Sequence, residues 1–131
     1  MFNMFMMDYK LKSFSFENIL VWQKSRVLAK EIYQITSTFP KEELFGISSQ
    51  MRRCSISIPS NLAEGSSRRT AKDKARFTEI AFGSGLELLN QLIIALDLNY
   101  IEESKYLEIR VKLQEVTFLL NALQKAQLKQ E

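Results

Sequence analysis

Between Arg52 and Arg76, seven basic side chains (Arg52, Arg53, Arg68, Arg69, Lys72, Lys74, Arg76) stand against two acids, Glu64 and Asp73. The window carries net +5 in a chain of net +3, which leaves net −2 for the remainder. At neutral pH such residues do one kind of chemistry well, the binding of anions. Arg68, Arg69, Lys72 and Arg76 fall where a loop meets a helix start, and unpaired backbone amides there add to the attraction. The pattern predicts a phosphate-binding patch, with Arg52, Arg68, Arg69, Lys72, Lys74 and Arg76 as candidate nucleic-acid-binding residues. A solvated helix end without a ligand has the same composition.

What the chain lacks narrows its chemistry further. It has no histidine, hence neither the commonest general base, nor the commonest metal ligand, nor any Ser-His or Cys-His nucleophile. Its single cysteine, Cys54, rules out an internal disulfide framework and a multi-thiolate metal site. It is expected to be a small buried apolar group. No catalytic residue, cofactor or metal is expected.

A second polar set lies nearer the middle of the chain. Arg53, Ser57, Ser60 and Glu64 recur at spacings of four, three and four, with Gln50 and Asn61 beside them, and Ser84, Glu87 and Gln91 form a similar line. Each line follows one helix face next to an apolar one. Gln50, Arg53, Asn61, Glu64, Ser84, Glu87 and Gln91 are therefore expected to form a structural polar network. Arg53 is expected to pair with Glu87 at a buried seam, because an unpaired buried charge is costly.

The elements that must carry these residues are helices. The chain has 131 residues, 46% hydrophobic and 25% charged, with 4 Gly and 2 Pro. That suits one all-α domain rather than a sandwich of short strands. Val21, Leu28, Ile32, Ile35 and Phe39 step along one helix face. "CSISIPS" alternates like a strand, yet the strand explains only three apolar positions. Leu44, Ile47, Met51, Cys54, Ile58 and Leu62 fit a helix, which is predicted to bend at Pro59 and stop at Gly65, with Ser48 or Ser49 as its cap. Thr70 and Asp73 resemble a capping box opening a third helix along Ala81, Leu88, Leu92 and Leu96. A fourth starts near Ser104 and runs along Ile109, Leu113, Val116, Leu120 and Leu123.

The expected architecture is an antiparallel up-down-up-down four-helix bundle over residues 15–131, with helices at about 16–38, 42–65, 70–97 and 104–128. Residues 1–14 are expected to be a loose extension. "MFNMFMMDYKLKSF" is no signal peptide, because Asp8 and Lys10 interrupt it. No stretch is read as spanning a membrane, and a cytoplasmic location is expected. Trp22, Phe118 and Leu119 exceed what one core needs and point to an oligomer.

Three stretches carry a resemblance. "FENILVWQKS", "TFPKEELFGISSQMRRCSISIPSNLAEGSSR" and "IAFGSGLELLNQL" resemble the four-helix-bundle family named for proteins encoded in intervening sequences of bacterial 23S ribosomal RNA genes. The similarity runs from about Phe16 to Leu123. The family usually has alanine at the position of Cys54, and the extra glycine in Gly83-Ser84-Gly85-Leu86-Glu87 departs from its pattern. The resemblance implies a bundle that assembles into a ring-like homopentamer. It also implies kinship with the accessory protein of diversity-generating retroelements, which binds nucleic acid and a reverse transcriptase.

The function expected is thus non-catalytic binding of RNA or DNA by an oligomer, through basic charge and without strong sequence specificity. The alternatives are an oligomeric protein-docking scaffold with no nucleic-acid role and, further off, a histidine-free nuclease-like enzyme.

Overall fold

The structure, a computed structural model, describes residues 11–130. Four helices carry it: α1 (Leu20–Thr36), α2 (Ile47–Ser66), α3 (Ala71–Asp97) and α4 (Glu103–Leu128). Among the described residues there is no strand. Cross-helix contacts fix an antiparallel order. Ser57 meets Ser84 and Cys54 meets Gln91 between α2 and α3, while Thr78 meets Gln127 between α3 and α4. Lys24 pairs with Glu115, and Lys112 with Glu31, to close α4 against α1. The result is an up-down-up-down four-helix bundle.

The apolar lines become the core. Leu28, Ile32, Met51, Ile58, Leu88, Leu92, Ile109, Leu113 and Leu120 are all at most 1% exposed. Burying a side chain of this kind is worth about 1.5–3 kcal/mol relative to leaving it in water. Ser25, the gap in the first line, is buried as well and returns its hydroxyl to the Trp22 carbonyl. Cys54 is buried, and α2 runs unbroken through Pro59. The Asn61 amide donates to the Ser57 carbonyl, while Ser55 turns its hydroxyl to the Arg52 carbonyl.

Several boundaries differ from expectation. Ser15–Asn18 forms a 3-10 turn, and the extended Ile19 precedes α1, so the first helix starts at Leu20 rather than near 16. That turn is held by the Phe14 amide on Glu17 Oε2 at 2.6 Å and by the Phe16 ring set edge-on to Trp22 at 5.1 Å. α2 starts at Ile47, because Gly46 takes a non-helical backbone (φ −109°, ψ −121°); Leu44, counted on the helical line, is half exposed. Neither Ser48 nor Ser49 caps that helix: Ser48 is buried inside it, and Ser49 donates to the Gly46 carbonyl. Glu102 takes the cap position before α4. Of the first fourteen residues only 11–14 are described, and all four are exposed.

Two glycines do something other than expected. Gly65 is not the stop its type suggests: α2 continues to Ser66, and among the described residues no glycine has positive φ. A Cβ there would lie 2.7 Å from Phe77 Cβ, so its role is close packing of α2 on α3. Gly85 likewise lets α4 approach, since a Cβ would lie 3.0 Å from Thr117 Cγ2, whereas Gly83 faces open space. By length and composition alone α3 is apolar enough to cross a membrane, as the core helix of a bundle can be, although no run of it approaches eighteen uncharged residues. Its best window has a mean hydropathy of 1.3, and only 33% of that window is buried in the bundle.

Candidate nucleic-acid interface

The turn between α2 and α3 gathers most of the predicted basic residues. Thr70 Oγ1 accepts the Asp73 amide at 3.1 Å, fixing the start of α3 as its sequence implies. Arg68 and Arg69 precede that cap, and Lys72, Lys74 and Arg76 follow it within two turns. Arg68, Arg69, Lys72 and Arg76 are exposed, and Lys74 is half-buried. Arg69 and Arg76 have no hydrogen bond or ion pair among the described residues.

Arg68 is held on two sides. Its Nη2 reaches Glu64 Oε2 at 2.7 Å, and its guanidinium lies 4.6 Å from the centre of the Phe77 ring. This exposed i,i+4 pair contributes little to stability. What it does is set the planar guanidinium in a shallow pocket with Asp73, Arg76, Phe77 and Ile80. Aromatic faces, guanidinium planes and neighbouring cations are what single-stranded nucleic acid stacks on and pairs with.

The last turns of α4 meet the same end. Gln124 Nε2 donates to the Ala75 carbonyl, and Gln127 Oε1 accepts from Thr78 Oγ1 at 2.8 Å. Lys125 and Lys129 belong to those turns. At the opposite end, the Tyr100 hydroxyl donates to Glu43 Oε2 at 2.7 Å, and the turns there hold Glu42, Asp97, Glu102 and Glu103 against Lys41 and Lys105. Hydrogen bonding to the Glu43 carboxylate raises the Tyr100 phenol above its ordinary pKa. The bundle is basic at one end and acidic at the other.

Arg52 does not join the patch. It lies sixteen residues before Arg68 on α2, about 24 Å along the helix axis. Its Nε donates to Thr36 Oγ1 at 2.8 Å, and its guanidinium packs 4.9 Å from the centre of the Tyr33 ring. No sequence spacing signals that contact, because its partners lie on another helix.

The expected polar network forms only in pieces. The Ser57 and Ser84 hydroxyls meet at 2.8 Å, and Asn61 Nδ2 donates to Ser57 Oγ at 3.0 Å. Gln91, 5% exposed, donates to Cys54 Sγ and Glu87 Oε2, both at 3.5 Å. Gln50 is exposed, and Glu64 pairs with Arg68 instead of entering the seam. Arg53 and Glu87 are both exposed and form no ion pair with each other, so the buried pair expected there does not exist. Arg53 sits farther around α2 than Ser57 and Asn61, which take the contact positions. The Cys54 thiol is pushed up to about 11, first by burial and then by the Glu87 carboxylate. It is therefore no nucleophile at neutral pH. Among the described residues no group of acidic, histidine or cysteine side chains could hold a metal ion.

The model of the 23S rRNA-intervening sequence protein family matches residues 17–122. The chain belongs to that family. It is also similar to a solved structure from Bacteroides thetaiotaomicron, a protein of unknown function from the S23 ribosomal protein family. The two are 25% identical and superpose with a TM-score of 0.75, over 81% of this chain and 96% of that one. Among curated proteins nothing matches. Family membership accounts for the bundle and names no reaction.

Proposed function

We propose that this family member is a non-catalytic, self-associating protein of the cytoplasm that binds RNA or DNA through the basic end of its bundle. The carrying observation is the α2–α3 turn. Arg68, Arg69, Lys72 and Arg76 stand exposed there, and Arg69 and Arg76 are unneutralised by any neighbour among the described residues. The contacts such residues make are to phosphates, so binding depends weakly on sequence and steeply on salt. Assembly, five copies in a ring as the family resemblance implies, repeats the patch and adds avidity.

The test is binding to a structured RNA and to duplex DNA across a salt series, with the wild type beside Arg68→Ala/Arg69→Ala. The variant is expected to bind more weakly and with a smaller salt slope, at unchanged helicity and subunit count. Wild-type protein that binds neither nucleic acid at low salt overturns the reading. A second reading, a protein-docking scaffold, is favoured by one observation: Phe45 and Phe118 are 91% and 72% exposed. It gains where the basic residues prove dispensable.

A further inference from the structure

The seam of α1 and α2 carries a second set of cations, and here they stand among aromatic rings. A groove of about 440 Å3 follows it, with Phe16, Trp22 and Tyr33 supplied by α1 and the turn before it. Ala29, Pro59 and Ala63 line it too, and side chains this short leave the space between the rings unfilled. The helices run antiparallel, so the Trp22 end of the groove faces the end of α2, where Ala63 stands five residues before Arg68. From Trp22 to Tyr33 the groove covers eleven residues, about 16 Å of helix axis.

Its charges are of one sign. Arg26 and Lys30 line the groove one helical turn apart, and no carboxylate among the described residues does. Both are exposed, and neither has a hydrogen bond or ion pair among the described residues. The Arg26 guanidinium lies 5.5 Å from the centre of the Trp22 ring, and Phe16 meets that ring edge-on at 5.1 Å. Trp22 is thus steadied from two directions and still only half-buried. At the far end Arg52 is fixed by Thr36 Oγ1 and lies 4.9 Å from the centre of the Tyr33 ring, which leaves Tyr33 43% exposed.

We propose that the α1–α2 groove binds single-stranded nucleic acid, with bases stacked on Trp22 and Tyr33 and phosphates on Arg26 and Lys30. Charge complementarity selects a polyanion, since the groove holds two cations that nothing in the chain neutralises. The rings select one whose bases are free, because aromatic and guanidinium planes take the faces of unstacked bases. A duplex keeps its bases stacked and offers such a groove only phosphates. The strand then continues past Ala63 to the basic turn at Arg68 and Arg69.

The inference rests on the nucleic-acid binding proposed above and adds a second surface and a preference for single strands. Trp22 is the only tryptophan of the chain, so its fluorescence reports on this groove. Short single-stranded oligothymidylate is expected to quench it, and a duplex of equal length to bind without quenching. Tyr33→Ala is expected to weaken oligothymidylate binding about tenfold, the scale of one lost base–aromatic stack, while Tyr33→Phe keeps it. Duplex affinity stays unchanged in both, and helicity and melting serve as the folding control. Arg26→Ala/Lys30→Ala is expected to reduce the salt slope for the single strand. Absent quenching, equal quenching by the duplex, or a Tyr33→Ala variant that binds like wild type overturns the groove, while duplex binding keeps the basic end standing. Wild-type protein that binds neither form at low salt overturns both readings. Trp22 emission that changes with protein concentration but not with oligothymidylate assigns the groove to a second copy of the chain and overturns the proposal.

Discussion

The hydroxyls of Ser57 and Ser84 lie 2.8 Å apart across the seam of α2 and α3. Ser57 also accepts from Asn61 Nδ2, so three side chains lock the register of the two helices at mid-height. Ser84→Ala removes one arm and leaves Ser57 partly served by Asn61. The expected cost is about 1 kcal/mol, read as a lower denaturation midpoint at unchanged slope. Ser57→Ala leaves Ser84 without its partner, takes one of Asn61's two bonds while the residue-57 carbonyl keeps the other, and is expected to cost somewhat more than Ser84→Ala.

The two mid-helix glycines of α3 separate helix propensity from packing. Gly83→Ala meets open space and is expected to stabilise by about 1 kcal/mol. Gly85→Ala gains the same propensity but drives a methyl to 3.0 Å from Thr117 Cγ2. Thr117 is held in place by its hydroxyl on the Gln114 carbonyl, so the gain is expected to be lost. Adding Thr117→Ser removes the opposing methyl and should return part of it. Chemical denaturation of these three variants beside the wild type decides.

Cys54 gives a pH signature. Its folded thiol titrates at about 11 against 9.0 unfolded, so the native state holds the proton longer. The stability this represents is fully present below about pH 9 and is lost as the pH rises towards 11. The denaturation midpoint is expected to fall over that interval, and to fall less in Cys54→Ala. In the native protein at pH 8, thiol reagents should label Cys54 far more slowly than in denaturant.

The cap of α3 is testable on its own. Thr70→Ala removes the acceptor for the Asp73 amide and is expected to cost about 1 kcal/mol. It leaves every basic residue of the neighbouring turn in place. Nucleic-acid affinity lost beyond the fraction unfolded would mean that the patch needs a rigid helix start.

Much of the bundle was legible because apolar spacing and burial follow the same period. Met51, Cys54, Ile58 and Leu62 are all buried as their steps of three and four require. The start of α2 was not legible, because the break depends on the backbone of Gly46 and on a contact from Tyr100 to Glu43 across 57 residues of chain. Gly65 was misread for a different reason. A glycine needed for its missing Cβ and one needed for a left-handed turn look alike in sequence. For the polar residues, spacing gave the face but not the partner. Arg53 and Glu87 lie on the expected faces and stay apart, while Arg52 binds Tyr33 and Thr36 through a contact no local pattern encodes.

The opposed signs at the two ends of the bundle amount to an electric dipole laid along its long axis. α3 alone, at 27 residues, is about 40 Å long. The Debye length is about 10 Å at 0.1 M salt, so a polyanion at the basic end is invisible to the acidic end, which neither repels it nor weakens the encounter. At 0.01 M the screening length grows to about 30 Å, and both ends feel the same partner. The torque then turns the basic end inward before contact, while the far carboxylates begin to oppose approach. Lowering the salt therefore gains less association rate than the basic cluster alone would give, and Glu102→Gln/Glu103→Gln should recover the difference without touching the binding surface.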